Sequence, residues 1–271
     1  MMNPLYWLEL RVRAREKRLW LIALFFVVTL GIISGVVIIS VVDWFSSYTR
    51  TIEPVSIGEG LIWTTLFCQA GLLMILAPLA TAGRISQERE QRTLAALINS
   101  PASATRIALG KLWGAWTFVI WLGVLALPFL FTATLWGGPS WKLILGCLGL
   151  NLLAGLVLSA VSLGISGLFG RSLTAYLVTG SFLFGWIAVL PMLGSLAMAF
   201  NHDSNKAFQE LVMYLTMYHN PFFPLMALAG SFTEWDAGKF FIPLAYGVGV
   251  WVLLGALSLL AAVRSLKREV Y

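Results

Sequence analysis

The chain has 271 residues, of which 59% are hydrophobic and 11% charged, with a formal net charge of +6. A mean hydropathy of +0.86 excludes an ordinary soluble domain and marks an integral membrane protein. The sequence predicts an all-α membrane domain made of residues 1–271, with no second domain.

In chain order, Asn3-Pro4 reads as an N-cap followed by a first-turn proline, opening a helix through Arg18. Leu5, Leu8 and Val12 form an apolar stripe, Trp7 suits a membrane interface, and Arg11, Arg13, Arg15, Lys17 and Arg18 crowd the far end. Residues 1–18 are therefore expected to lie along the membrane surface, with the basic side chains among the headgroups. The plainer alternative is a positive flank that orients the first span. The apolar run that follows is too long for a cleaved signal peptide.

Six apolar segments contain no Asp, Glu, Lys or Arg: Leu19 to Val42, Leu61 to Ala82, Leu112 to Trp136, Leu143 to Leu168, Leu173 to Phe200 and Phe240 to Val263. Each exceeds the roughly 20 residues that a helix needs to cross a hydrocarbon core of about 30 Å. The segment from Asp43 to Gly60 offers no motif, and Pro78 is placed to kink the second span near its end. The fourth span carries Gly146, Gly149, Gly155, Ser159, Gly164 and Gly167, spacings that let helices approach closely. Phe169 to Ser172 is a tight hairpin.

Between the second and third spans the chain reads Arg84-Ile85-Ser86-Gln87-Glu88-Arg89-Glu90-Gln91-Arg92-Thr93-Leu94, then Leu97-Ile98-Asn99-Ser100-Pro101. A continuous helix over 84–100 would put Leu94, Leu97 and Ile98 on one face and Glu88, Arg89 and Arg92 on the other. That is a surface suited to a partner protein, with Arg89 as an exposed charge on it; a solvated loop is the rival reading. Pro101 should end this helix, and Ser100-Pro101 would start the next as N-cap and N1. If continuous from Pro101 to Trp136, that third helix would be about 54 Å long.

Residues 201–239 form the longest segment between spans. Asp203 or Ser204 can cap a helix with Phe208, Leu211, Val212 and Leu215 on one face, His219-Asn220-Pro221 breaks it, and the apolar stretch to Gly230 is too short to cross. A re-entrant or interface-lying pair of short helices is expected.

Placing both termini and Arg84 to Arg106 in the cytoplasm leaves fourteen of the eighteen basic residues inside; only Arg50, Lys142, Lys206 and Lys239 fall outside. Cys68 and Cys147 lie within spans and imply neither disulfide nor metal site.

This layout, with Glu88-Arg89-Glu90-Gln91-Arg92-Thr93-Leu94 ahead of Leu97-Ile98 and Ser100-Pro101, and Gly110-Lys111 opening the next span, resembles the ABC-2 family of ATP-binding-cassette transporter permeases over the whole chain. The resemblance implies that the segment holding Glu88, Arg89, Glu90, Arg92, Thr93, Leu94, Leu97 and Ile98 is a coupling helix that docks on a separate ATPase subunit, and that the short helices before the last span are re-entrant. It implies a second permease subunit, identical or related, an exporter in a prokaryotic cytoplasmic membrane, and ATP and Mg²⁺ held by the ATPase rather than by this chain. Many members of the family carry glycine where this chain has Arg92, and an arginine there is compatible with a helix.

Independent chemistry agrees. The spans offer only neutral polar groups such as Gln69 and Asn151, whereas ion-driven transporters usually place ionisable groups at membrane depth. Gly110-Lys111 is followed by Leu112 and lacks the preceding glycine of a phosphate-binding loop. Gly164-Ile165-Ser166-Gly167 does not complete a nucleophile-elbow motif, and His202 and His219 lack zinc-site spacing. No catalytic constellation is expected. The competing class is a polytopic anchor or assembly factor without a transport path; the sequence does not select a cargo.

Overall fold

A computed structural model describes residues 6–7, 11, 15–47, 54–94, 103–201, 205–230 and 237–268. Among them all regular structure is helical: α1 (Lys17–Ser47), α2 (Pro54–Leu79), α3 (Arg84–Glu90), α4 (Ala104–Thr134), α5 (Trp141–Leu168), α6 (Ser172–Phe184), a π-helical segment (Gly185–Val189), α7 (Leu190–Phe200), α8 (Lys206–Thr216), α9 (Phe223–Gly230) and α10 (Ala237–Arg268). Six stretches are long and apolar enough to cross a membrane, and they fall on the six segments read from the sequence. The fifth combines α6, the π segment and α7.

The interior is centred on α5, which packs against α2, α4 and α10. One cluster joins Leu66, Leu130, Ile144, Leu158 and Trp251; a second joins Phe26, Leu30, Leu73 and Leu122 from α1, α2 and α4. A third, at the end of the bundle that carries most of the basic residues, joins Ile85, Leu94, Ile107, Leu163 and Leu266. Small residues on α5 set the helix spacing. A Cβ added at Gly164 would stand 2.5 Å from the Ser258 carbonyl oxygen of α10, and one at Gly155 would stand 2.6 Å from a Val119 methyl of α4. Both contacts are too close for any larger residue. Gly146 and Gly149 face open space, so the small residues of this span divide between packing sites and its free surface. Asn151 is buried and donates to the Leu66 carbonyl across the α5–α2 contact (3.2 Å), while Gln69 is fully buried.

Helix starts differ from expectation. Ser103 is the N-cap of α4, its hydroxyl accepting from the Arg106 amide, and α4 has 31 residues. The proposed Ser100-Pro101 start lies outside the described residues. At the opposite end of the bundle Asn205 caps α8, its side chain accepting from the Ala207 amide at 3.2 Å, and Asp203 and Ser204 lie outside the described residues. Of the expected apolar face of α8, Val212 is buried, but Leu211 and Leu215 are more than half exposed. Most of that face points away from the bundle.

The irregular turn in the fifth span has a local cause. Pro191 has no N–H to donate to the carbonyl four residues back, that of Ile187, and its ring crowds that oxygen. The backbone widens over Gly185–Val189, with Leu190 N–H reaching back to the Gly185 carbonyl. Asn220 then donates from Nδ2 to the Ile187 oxygen at 2.8 Å. Its neighbour His219 is buried, accepts from Trp186 Nε1 at Nδ1 (2.8 Å), and offers its carbonyl to Trp251 Nε1 (2.8 Å). The segment that breaks α8 from α9 is thereby tied to the fifth and sixth spans.

Candidate functional site

After α2 the chain turns at Ala80–Gly83, where the Thr81 and Ala82 amides donate to the Pro78 carbonyl. The turn leads into α3, a helix of seven residues, too short to persist without tertiary support. That support comes from every direction. The Ile85 and Ser86 amides, which have no partner within the first turn of the helix, both donate to Ser166 Oγ of α5 at 3.1 Å. Arg84 grips Glu16 with both terminal nitrogens (2.9 and 2.9 Å), the bidentate geometry that makes arginine–carboxylate pairs the stronger kind.

The second turn of α3 carries three consecutive charges, each with its own anchor. Glu88 Oε1 pairs with Lys111 Nζ of α4 at 2.5 Å, with the lysine side chain 3% exposed. Arg89 donates to the Phe169 carbonyl (2.6 Å), the Gly167 carbonyl (3.2 Å) and Ser265 Oγ (3.2 Å). Ser265 Oγ also donates to the Gly167 carbonyl, so the last carbonyls of α5 are served from two sides. Glu90 Oε2 accepts from the Ser172 hydroxyl (2.6 Å) and the Ser172 amide (3.3 Å) at the start of α6. The Ser172 hydroxyl, then its amide, hold the Glu90 carboxyl below the usual carboxylate range, with Arg171 adding a smaller pull in the same direction.

The helix ends where the sequence reading would have continued it. Arg92 has φ of 57°, its amide returns to the Arg89 carbonyl (3.1 Å), and the Thr93 amide returns to the Glu88 carbonyl (2.9 Å). This is the paired hydrogen-bond pattern of a left-handed C-terminal cap, in which the position held by Arg92 favours glycine. The expected continuous helix over 84–100 is therefore corrected: α3 stops at Glu90 because the chain reverses hand at Arg92. It follows that Leu94 is not on an outward face. It is 2% exposed and packs with Ile85, Ile107, Leu163 and Leu266. Arg89 is likewise drawn inward by its three acceptors rather than standing free. What faces outward is Gln87 and the tip Glu90-Gln91-Arg92-Thr93. Leu97 and Ile98 lie outside the described residues.

Of the expected surface helix, Tyr6, Trp7, Arg11 and Arg15 are described and helical. Trp7 is 51% exposed, Arg11 and Arg15 are exposed, and the Tyr6 hydroxyl meets Thr117 Oγ1 at 3.1 Å; Arg13 lies outside the described residues. The anchors Glu16, Ser166, Ser172 and Ser265 were not singled out from the sequence for this site, and Lys111 was read as opening the next span rather than as a partner of Glu88. Lysine one residue before an apolar span and serine at span ends are common, so neither carries a local signal. Among the described residues no three His, Cys, Asp or Glu side chains gather as a metal site.

The arrangement is a junction: one short helix whose polar atoms engage several elements of the bundle, with an exposed tip that carries Glu90 and Arg92. A family model described as "ABC-2 family transporter protein" matches residues 3–270. No curated protein matches the chain.

Proposed function

This chain belongs to the ABC-2 family of transporter proteins, and on that premise we propose that α3 and its tip receive the movement of a separate ATPase and pass it to the membrane. Membership makes the chain a permease subunit of an ABC transporter, a multi-pass integral membrane protein that works with an ATPase subunit. ATP and Mg²⁺ belong to that partner. We place the basic end of the bundle in the cytoplasm, by the distribution of lysine and arginine, and take a prokaryotic membrane and export as the direction of transport by resemblance to the family.

One observation carries the reading. The seven residues of α3 are bonded to α5 through Ser166, to α4 through Lys111, to α5 and α10 through Arg89, to α6 through Glu90, and to the segment before α1 through Glu16. A push on the tip at Gln91-Arg92-Thr93 cannot be absorbed by a loose loop, because each charge of the helix is fastened to a different part of the bundle. An anchor protein without a transport cycle has no need of such a junction.

The unit is proposed to contain two permease and two ATPase subunits. An apolar groove of 470 Å³ runs between α2 and α6 past Gly71, Met74, Leu183 and Ile187, with Phe222 at one end. A second permease closing over it would give a shared path. The test is co-expression of this chain with an ABC ATPase encoded beside it, followed by purification and reconstitution. A stable complex that hydrolyses ATP and moves a solute outward supports the proposal. A chain that never retains an ATPase and is active as a monomer overturns it.

A further inference from the structure

At the basic end of the bundle, the lower parts of α5 and α10 leave a groove of 640 Å³ that reaches the surface. Its walls change character along one line. On α10 the residues Leu257, Leu260, Ala261, Arg264 and Arg268 line it, at helical spacings of three, four and seven that place them on one stripe. Leu257 and Leu260 are more than half exposed, as is Leu168 opposite them, and Arg264 and Arg268 are exposed. Along the helix axis Arg264 stands about 10 Å beyond Leu257, and Arg268 about 16 Å. Arg89 lines it from α3, its guanidinium on the α5-end carbonyls and Ser265.

We propose that this groove is a binding site for an anionic glycerophospholipid of the leaflet at that end of the bundle. The order of the wall, apolar and then cationic, is the order of such a molecule from acyl chain to phosphate. A zwitterionic lipid offers the same phosphate but sets its choline cation beside the arginines, which opposes the attraction, and a free phosphate makes no use of the apolar wall. Among the described residues neither Arg264 nor Arg268 has an acidic partner, so their charges are available to a phosphate diester, which an arginine fork can take with two hydrogen bonds. Basic pockets between helices at the membrane surface recognise anionic headgroups by this chemistry. Because Arg89 borders the site, the bound phosphate would lie beside the group that fastens α3 to α5 and α10.

The experiment titrates the purified full-length protein in neutral detergent with phosphatidylglycerol and with phosphatidylcholine, counting retained lipids by native mass spectrometry. One phosphatidylglycerol should be retained, with a preference of about tenfold or more over phosphatidylcholine. The pair Arg264→Gln and Arg268→Gln should abolish that preference, and the pair Arg264→Lys and Arg268→Lys should keep most of it, which also guards against a glutamine pair that folds poorly. Lys17→Gln removes a charge from the same end but outside the groove and should leave the preference intact. Equal retention of the two lipids overturns the proposal, as does a loss from Lys17→Gln as large as from the glutamine pair. Displacement by millimolar inorganic phosphate would make it a soluble-anion site. Stoichiometric displacement by an ATPase subunit would make the groove a protein contact. Either result overturns the lipid assignment.

Discussion

Arg89 and Glu90, neighbours in sequence, cap two helix ends of opposite polarity: Arg89 donates to the carbonyls of Gly167 and Phe169 where α5 ends, and Glu90 accepts from Ser172 where α6 begins. A helix C-terminus carries partial negative charge and an N-terminus partial positive charge, so each side chain has the sign that its helix end requires. The Phe169–Ser172 hairpin is thus held at both ends by two adjacent residues of α3. That coupling is geometric, and it can be tested one residue at a time.

Arg89→Ala should destabilise the purified chain by about 2–3 kcal/mol, because three acceptors lose a charged donor. Arg89→Lys should recover only part of this, since an ammonium cannot reproduce the fork. Thermal unfolding in detergent measures both. Transport should fall further than stability does, because the Phe169–Ser172 hairpin would no longer follow α3. An alanine variant that melts and transports like the parent would remove Arg89 from the junction.

The Lys111–Glu88 pair invites a double-mutant cycle. Lys111→Met should cost about 3 kcal/mol by stranding the Glu88 carboxylate, whose Oε2 is already buried without a hydrogen bond. Glu88→Gln added to Lys111→Met should restore much of the loss, as removing both charges of a buried pair is far milder than removing one. Strict additivity would show that the pair does not interact.

Docking and folding separate at the end of α3. Arg92→Glu reverses an exposed charge at the tip and should lower ATPase retention about tenfold with the melting temperature unchanged. Leu94→Ala should instead cost about 2–5 kcal/mol in the isolated permease, as expected for truncating a buried leucine, and Leu94→Asp should prevent folding. Should Leu94→Ala melt normally and lose only the ATPase, Leu94 belongs to the docking face after all.

Glu90 adds a pH dependence of definite sign. Its carboxyl is held below the ordinary value of 4.5 by Ser172, so its contribution is complete above that value and is lost as pH falls through the depressed one. Ser172→Ala should raise that pKa and bring the acid-side loss of stability to higher pH, leaving behaviour near neutrality unaltered. Acid titration of unfolding for the parent and the variant gives the comparison, and superimposable curves would sink the assignment.

At the opposite end, Asn220→Ala should cost about 1–3 kcal/mol by leaving the Ile187 carbonyl without a donor in the widened turn. Pro191→Ala gives that carbonyl a backbone N–H, so the double variant should lose less than the sum of the two. Unfolding midpoints of the four proteins decide it.

The six spans were legible because hydropathy over some twenty residues is a strong, local signal, and the end of the second was legible from the onset of charge at Arg84. The end of α3 was not. Nothing in Gln91-Arg92-Thr93 spells a left-handed cap, since arginine adopts that conformation at a cost of about 1–2 kcal/mol and helical charge spacing continues through it. In this chain the two return hydrogen bonds and the burial of Leu94 offset the strain. Arg89 looked free for a related reason: its acceptors are carbonyls and a hydroxyl far along the chain, and pattern reading along one helix cannot find them.

The uneven packing of the spans gives the molecule the layout of a stator with movable blades. In the windows that cross the membrane, 61% of α5 and 56% of the α2 stretch are buried inside the chain, against 17% for the first span and 17% for the fifth. The near-touching backbones at Gly164 and Ser258 lock α5 to α10, so that pair resists shear. The fifth span meets few neighbours, and its middle is a turn already loosened by Pro191. In the proposed cycle a displacement entering at Glu90 would therefore arrive at a sparsely packed span whose middle can bend, backed by the locked α5–α10 pair.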